Sequence, residues 1–242
     1  MIDWFMNGAH WTGDGGLWVL IYQHLIYSAV ALICTMIVAF PIGCYCGHTG
    51  KGERLLLGCA NALRALPSFG LIIILVIVLG PVFTSDLAFI IPSLIVLIAL
   101  ALPSIMLGIW SGITSIDRTV IDAARGMGYS DLRLLLTVEL PCALPLIISG
   151  IRSATLQIIS TATIAAYVSL GGLGRLIIDG RAQNDYQQMI AGAVLVALLA
   201  LLVDCFFSLL IRIIVSPGIL RREPLLKSPI RLFSTRNRSL LK

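Results

Sequence analysis

The chain has 242 residues, of which 58% are apolar and only 12% charged. A soluble domain carries about twice that charged fraction, so a water-facing surface around one or two globular cores is excluded in favour of a bilayer protein. The net charge of +5 is segregated by loop rather than spread over a surface, which points to membrane orientation and away from nucleic acid.

The N-terminal arm, residues 1–23, holds Asp3 and Asp14 but no lysine or arginine. It lacks the basic start of a removable signal peptide, so the first apolar segment is expected to remain as a span. Trp4, Trp11 and Trp18 recur every seven residues, yet Gly13, Gly15 and Gly16 argue against one helix through them. An interfacial aromatic anchor is expected there rather than a substrate cage.

Crossing the hydrocarbon takes roughly 20 mostly apolar helical residues. Five segments qualify: His24–Cys44, Leu55–Leu79, Leu87–Ile109, Leu146–Val168 and Met189–Val215. Together they define a membrane domain over residues 24–215 and an all-α integral membrane protein of about five transmembrane helices. No strand-like alternation competes with this reading.

In the connection after the first span, Gly43, Gly47, Gly50 and Lys51 invite comparison with a phosphate-binding loop. Tyr45 stands where the first glycine must be and Gly52 follows the lysine, so the motif fails. The second span is interrupted by Arg64, expected near the inner interface, and by Pro67-Ser68-Phe69. A break there frees backbone groups that only protein or a wet cavity can satisfy, which makes Pro67, Ser68 and Phe69 candidates for a pathway lining.

The connection Trp110–Pro145 contains Arg118, Arg125 and Arg133. Asp117 is expected to cap a helix from Arg118 to about Met127, and Gly128 to end it in a left-handed turn. Ser130 is expected to cap a second helix whose apolar side is Leu132, Leu135, Leu136 and Val138, with Pro141 and Pro145 fixing or kinking the start of the fourth span. Arg152 and Asp204 fall in the inner half of the fourth and fifth spans at about 1.5 Å per residue, and form a candidate intramembrane pair. Gly171, Gly172 and Gly174 read as a flexible outer turn. Lysine and arginine cluster in the first and third connections and in the tail, residues 216–242, so the N-terminus is expected outside and the C-terminus in the cytoplasm. The basic tail either lies against the anionic inner leaflet or stays solvated. Six cysteines follow no metal or disulfide framework and read as small buried hydrophobes.

One pattern is more specific. It runs Asp122-Ala123-Ala124, three residues, Gly128, nine residues, Val138, one residue, Leu140-Pro141. This resembles the Glu-Ala-Ala loop of the membrane subunits of bacterial ABC importers, with Asp for Glu and Val for Ile. The likeness extends through Ala65-Leu66-Pro67-Ser68, Gly150-Ile151-Arg152, Gly171 to Gly174 and Ala191-Gly192-Ala193, and is nearest to permeases for glycine betaine, choline and carnitine. The resemblance implies a type I importer-like permease of the bacterial cytoplasmic membrane, with no catalytic residue and no metal site of its own. It implies that ATP and Mg bind separate ATP-binding-cassette subunits, onto which Asp122, Ala123, Ala124, Gly128, Val138, Leu140 and Pro141 couple. A second permease, identical or paralogous, and an external substrate-binding protein complete the assembly, the glycine-rich turn shaping the outer gate or the binding protein's docking surface. Quaternary ammonium groups are recognised by aromatic faces, which in this family belong to the binding protein, so import of methionine or another amino acid stays open beside osmoprotectants. A membrane anchor or an intramembrane enzyme is the remaining alternative, for which no His-Glu-x-x-His motif speaks.

Overall fold

The computed structural model describes residues 2–6, 8–13 and 15–214, and the basic tail expected over 216–242 lies outside them. Every regular element among the described residues is helical. A short α1 (Ile2–Met6) and a 3-10 turn lead into α2, Leu17–Thr49. This first span begins inside the segment read as an arm, because Leu17 and Leu20 are buried against Leu173, Leu176 and Ala191. It ends where Gly50, at φ +67°, donates its N–H to the Cys46 carbonyl, a glycine cap of the usual kind.

The second span is two helices, α3 (Glu53–Ala65) and α4 (Ser68–Leu79), bent by 89°. Pro67 has no N–H and pushes Leu66 to an extended conformation, ψ 132°. The interruption expected at Pro67 within Leu55–Leu79 is thus a sharp bend between two helices. After α5 (Leu87–Thr114) come α6 (Arg118–Gly126) and α7 (Asp131–Leu134). The chain then passes through a π-turn, Leu135–Glu139, straight into α8 (Leu140–Ala165). Pro141 cannot bond the Thr137 carbonyl and its ring would collide with it; the wider turn, in which Leu140 N–H reaches Leu135 O, relieves that conflict. The fourth span is thus a 38-residue rod, Asp131–Val168, starting well before Leu146. A short helix α9 (Gly174–Gln183) precedes α10 (Tyr186–Ile214), the fifth span.

The core is a spine of α2, α5 and α8, filled by side chains such as Leu97, Ile105, Ile109 and Ile158. Lipid offers no hydrophobic driving force between helices, so close backbone approach through small residues holds such a spine. Gly108 faces Gly150, where an added Cβ would stand 2.8 Å from the opposing Cα, and Gly112 faces Ala143. Gly43 and Gly47, weighed above as phosphate ligands, instead receive Ile109 and Ile113. Of the six cysteines only Cys44 and Cys46 are buried; Cys59, Cys142 and Cys205 are exposed on the isolated chain, which corrects their reading as core hydrophobes. α10 is scarcely buried and touches α8 through a small patch around Ile148 and Phe207.

Candidate functional site: an elbow, a lever and a polar break

The polar loop between the third and fourth spans is built as a rigid elbow. Asp117 accepts from the Thr119 backbone N–H at 3.0 Å and from its hydroxyl at 2.9 Å, which starts α6. Gly128, at φ +84°, donates to Arg125 O at 2.9 Å, and Tyr129 N–H reaches Ala124 O at 3.3 Å. This bond pair is a Schellman closure, which needs a residue at ease in the left-handed region. Arg125 and Asp131 approach to 3.7 Å across the turn, and Arg133 lies 4.6 Å from the centre of the Tyr129 ring. Ser130 occupies the N-cap position of α7, but its side chain makes no capping hydrogen bond. The dipole end is instead served by exposed Asp131.

Asp122, Ala123 and Gly128 are exposed, whereas Ala124 points inward at 3% exposure. Met127, Leu132 and Leu136 are exposed beside them, and Leu134 rather than Leu135 or Val138 is the buried anchor. Val138, Leu140 and Pro141 do not join that outer face. They lie on the π-turn and the first turn of α8, at the root of the rod. One residue between them was not singled out in the sequence: Glu139 is buried, and His48 Nδ1 at the C-terminal end of α2 lies 2.7 Å from its carboxylate. This contact clamps the root of the rod to the spine. Only its position inside an otherwise apolar turn marked Glu139 in advance.

The break in the second span opens a cavity of about 640 Å³ whose polar groups are Arg64, Ser68, Ser104 and Gln157, with Pro67 and Leu100 beside them. Leu100 is midway along the 28 residues of α5, about 20 Å from either end at about 1.5 Å per residue. Arg64 therefore borders a cavity that is level with the middle of α5. Gln157 belongs to an exposed stripe on α8 with Ser149, Ser153 and Ser160, spaced to share one helical face. That stripe was legible as spacing, but not as exposure. Phe69 does not line the cavity; its ring meets Tyr167 edge to face at 5.2 Å.

Arg152 and Asp204 meet as a fork: Nε donates to Oδ1 and Nη2 to Oδ2, both at 2.6 Å. Two parallel charge-assisted bonds of this kind join α8 to α10. The turn at Gly171 and Gly172, with φ +88° and +78°, packs on α2, where Gly172 N–H donates to Gln23 Oε1 at 3.1 Å and Gly172 abuts buried His24. It is a fitted turn rather than a flexible one, and Gly174 opens α9. The elbow, the break and this glycine turn are thus three separate places along the spine.

Residues 39–219 match the family described as binding-protein-dependent transport system inner membrane component. The chain belongs to this family. It is accordingly a multi-pass inner-membrane permease subunit of an ABC transporter. The choline transport system permease protein OpuBB of Bacillus subtilis is 28% identical over 88% of this chain and 95% of its own length. The osmoprotectant import permease protein OsmW of Salmonella typhimurium is 32% identical over 82% of this chain and 93% of its own. Among solved structures, a chain of the MetNI methionine ABC transporter in an inward-facing conformation superposes with a TM-score of 0.71. It covers 85% of this permease and 100% of that chain at 22% identity, a likeness of fold.

Proposed function

We propose that this permease forms the translocation path of an ATP-driven importer for quaternary-ammonium osmoprotectants such as glycine betaine, choline or carnitine. ATP and Mg are bound by a separate ATP-binding-cassette subunit, a second permease completes the membrane domain, and an external binding protein delivers the solute. The elbow faces the cytoplasm, with the N-terminus outside. Asp122, Ala123 and Gly128 meet the ATPase, Ala124 packs beneath them, and Val138, Leu140 and Pro141 pass the displacement into α8.

The observation that carries this reading is mechanical. A capped helix and a glycine elbow continue without interruption into a 38-residue rod that enters the bilayer. A push on the elbow therefore moves a span instead of being absorbed in a loop. The pathway role of the Pro67–Phe69 break rests on its polar cavity level with the middle of α5; inside a bilayer only a wet or protein-lined site tolerates freed backbone. The curated relatives, named for choline and osmoprotectant import, support the solute class.

The test is co-purification in mild detergent followed by uptake in proteoliposomes carrying the ATPase and binding protein. ATP-dependent uptake of labelled glycine betaine, choline or carnitine that excess methionine does not suppress is expected. Methionine taken up in their place would replace the solute class. Recovery without any ATPase subunit would favour a membrane anchor. A cysteine placed at exposed Ser130, in a version without native cysteines, is expected to react with an impermeant maleimide from the cytoplasmic side. Reaction from outside would overturn the coupling role.

A further inference from the structure

Arg64 stands apart from the other arginine found deep in a span. Arg152 is neutralised by Asp204, and the loop arginines Arg125 and Arg175 have Asp131 and Asp179. Among the described residues Arg64 has no carboxylate within ion-pair distance, although it lines a cavity level with the middle of α5. A charge at that depth is costly unless water or a counter-charge meets it, and such residues mark solute pathways. The remaining polar lining, Ser68, Ser104 and Gln157, is uncharged. The cavity is therefore net positive and supplies hydroxyl and amide groups that replace hydration water without gripping a ligand.

We propose that this cavity is a transient site for a carboxylate-bearing solute, in which the Arg64 guanidinium receives the carboxylate during passage. The inference rests on the osmoprotectant reading and sharpens it. Glycine betaine and carnitine carry both a quaternary ammonium and a carboxylate, whereas choline carries the cation alone. Arg64 attracts the first two by a planar pair of hydrogen bonds and opposes the third. The volume, about 640 Å³, lies within the usual span of small-molecule sites, about 300–1,000 Å³. A weak site is what passage requires, since a solute held tightly does not leave. Selection by the external binding protein is thereby supplemented by a second filter inside the membrane, sensitive to the anionic end of the solute rather than the cationic one.

The test uses the assembled complex with its ATPase and binding protein in proteoliposomes, and labelled glycine betaine, carnitine, choline and methionine as probes. Arg64→Gln is expected to lower import of the carboxylate-bearing solutes by about tenfold or more and to leave choline import unchanged or raised. Arg64→Lys is expected to retain most of the activity, because the charge remains. Yield of assembled complex and ATPase stimulation by loaded binding protein serve as controls for folding and coupling. Equal loss of every solute in Arg64→Gln, or no loss of any, overturns the proposal. So does a wild-type complex that imports choline but no carboxylate-bearing probe. Import of methionine alone, lost in Arg64→Gln, removes the osmoprotectant reading and keeps the carboxylate site. A wild-type complex that imports none of the four removes both.

Discussion

Gly128 offers a clean separation of backbone strain from bulk. Its φ is +84°, and among the described residues nothing lies within 4 Å of where a Cβ would stand. A side chain there meets no neighbour, so within this subunit its cost is conformational. The left-handed region costs an ordinary L-residue roughly 1–2 kcal/mol; asparagine tolerates it best and β-branched valine worst. The elbow is closed by two backbone hydrogen bonds, from Gly128 and Tyr129, each worth about 0.5–1.5 kcal/mol net. Alanine, at about 1 kcal/mol, leaves most molecules closed, while valine, at about 2 kcal/mol or more, shifts the equilibrium towards an open elbow by roughly thirtyfold. Transport is therefore expected to fall in the order Gly, Asn, Ala, Val, with membrane insertion constant throughout. The assay is uptake in proteoliposomes normalised to assembled complex, with ATPase stimulation by the binding protein measured in parallel. Wild-type uptake by Gly128→Val would refute the role of the turn. Equal loss in Gly128→Asn and Gly128→Val would show that bulk at the docking face, not backbone geometry, is what the partner senses.

Three further outcomes are expected. Arg152→Gln or Asp204→Asn each leaves one half of the α8–α10 fork without its counter-charge and is expected to lower the melting temperature of the detergent-solubilised chain; Arg152→Asp combined with Asp204→Arg recovers most of the loss in a thermal melt, and no recovery would count against the pair. His48→Ala strands the buried Glu139 carboxylate at a cost of about 1–3 kcal/mol, whereas His48→Ala with Glu139→Ala loses less; additive losses would show that the two residues do not act together. Gly108→Val drives a side chain into the Gly150 backbone and is expected to abolish accumulation in the membrane. Gly58→Ala, which meets nothing within 4 Å among the described residues, serves as its control and is stable or improved by about 0.5–1 kcal/mol; normal levels of the Gly108 variant by immunoblot would refute the spine contact.

Much of the membrane domain was legible because lipid imposes a length and an apolar composition that few other folds share. The elbow was legible because a Schellman turn demands a particular residue at one position, and the chain has Gly128 there. Arg152 and Asp204 could be set at similar depths by counting residues, although counting does not give the rotation that makes them a fork. What escaped depends on contacts rather than composition. Gly43 and Gly47 carry no label saying that isoleucines from α5 will pack on them. Gly108 and Gly150 are separated by 41 residues and become partners only once two helices cross. Pro67 announces a break but not its angle of 89°, so the cavity at the bend was not legible. Leu17 and Leu20 extend α2 beyond His24 because a second apolar cluster, formed with Leu173 and Leu176, rewards it. The clamp of Glu139 by His48 joins residues 91 positions apart, which no local pattern encodes.

The glycine contacts of the spine carry a consequence for how such a transporter changes its cargo. Where even a methyl group would strike an opposing main chain, as at Gly108 and Gly150, substitution is all but forbidden, and the frame is frozen. Arg64, Ser68 and Gln157 border open volume instead, so a changed side chain there can extend into space rather than into an opposing main chain. At the proposed solute site, preference is therefore expected to drift by single exchanges along the rim of the void, while the scaffold stays as it was.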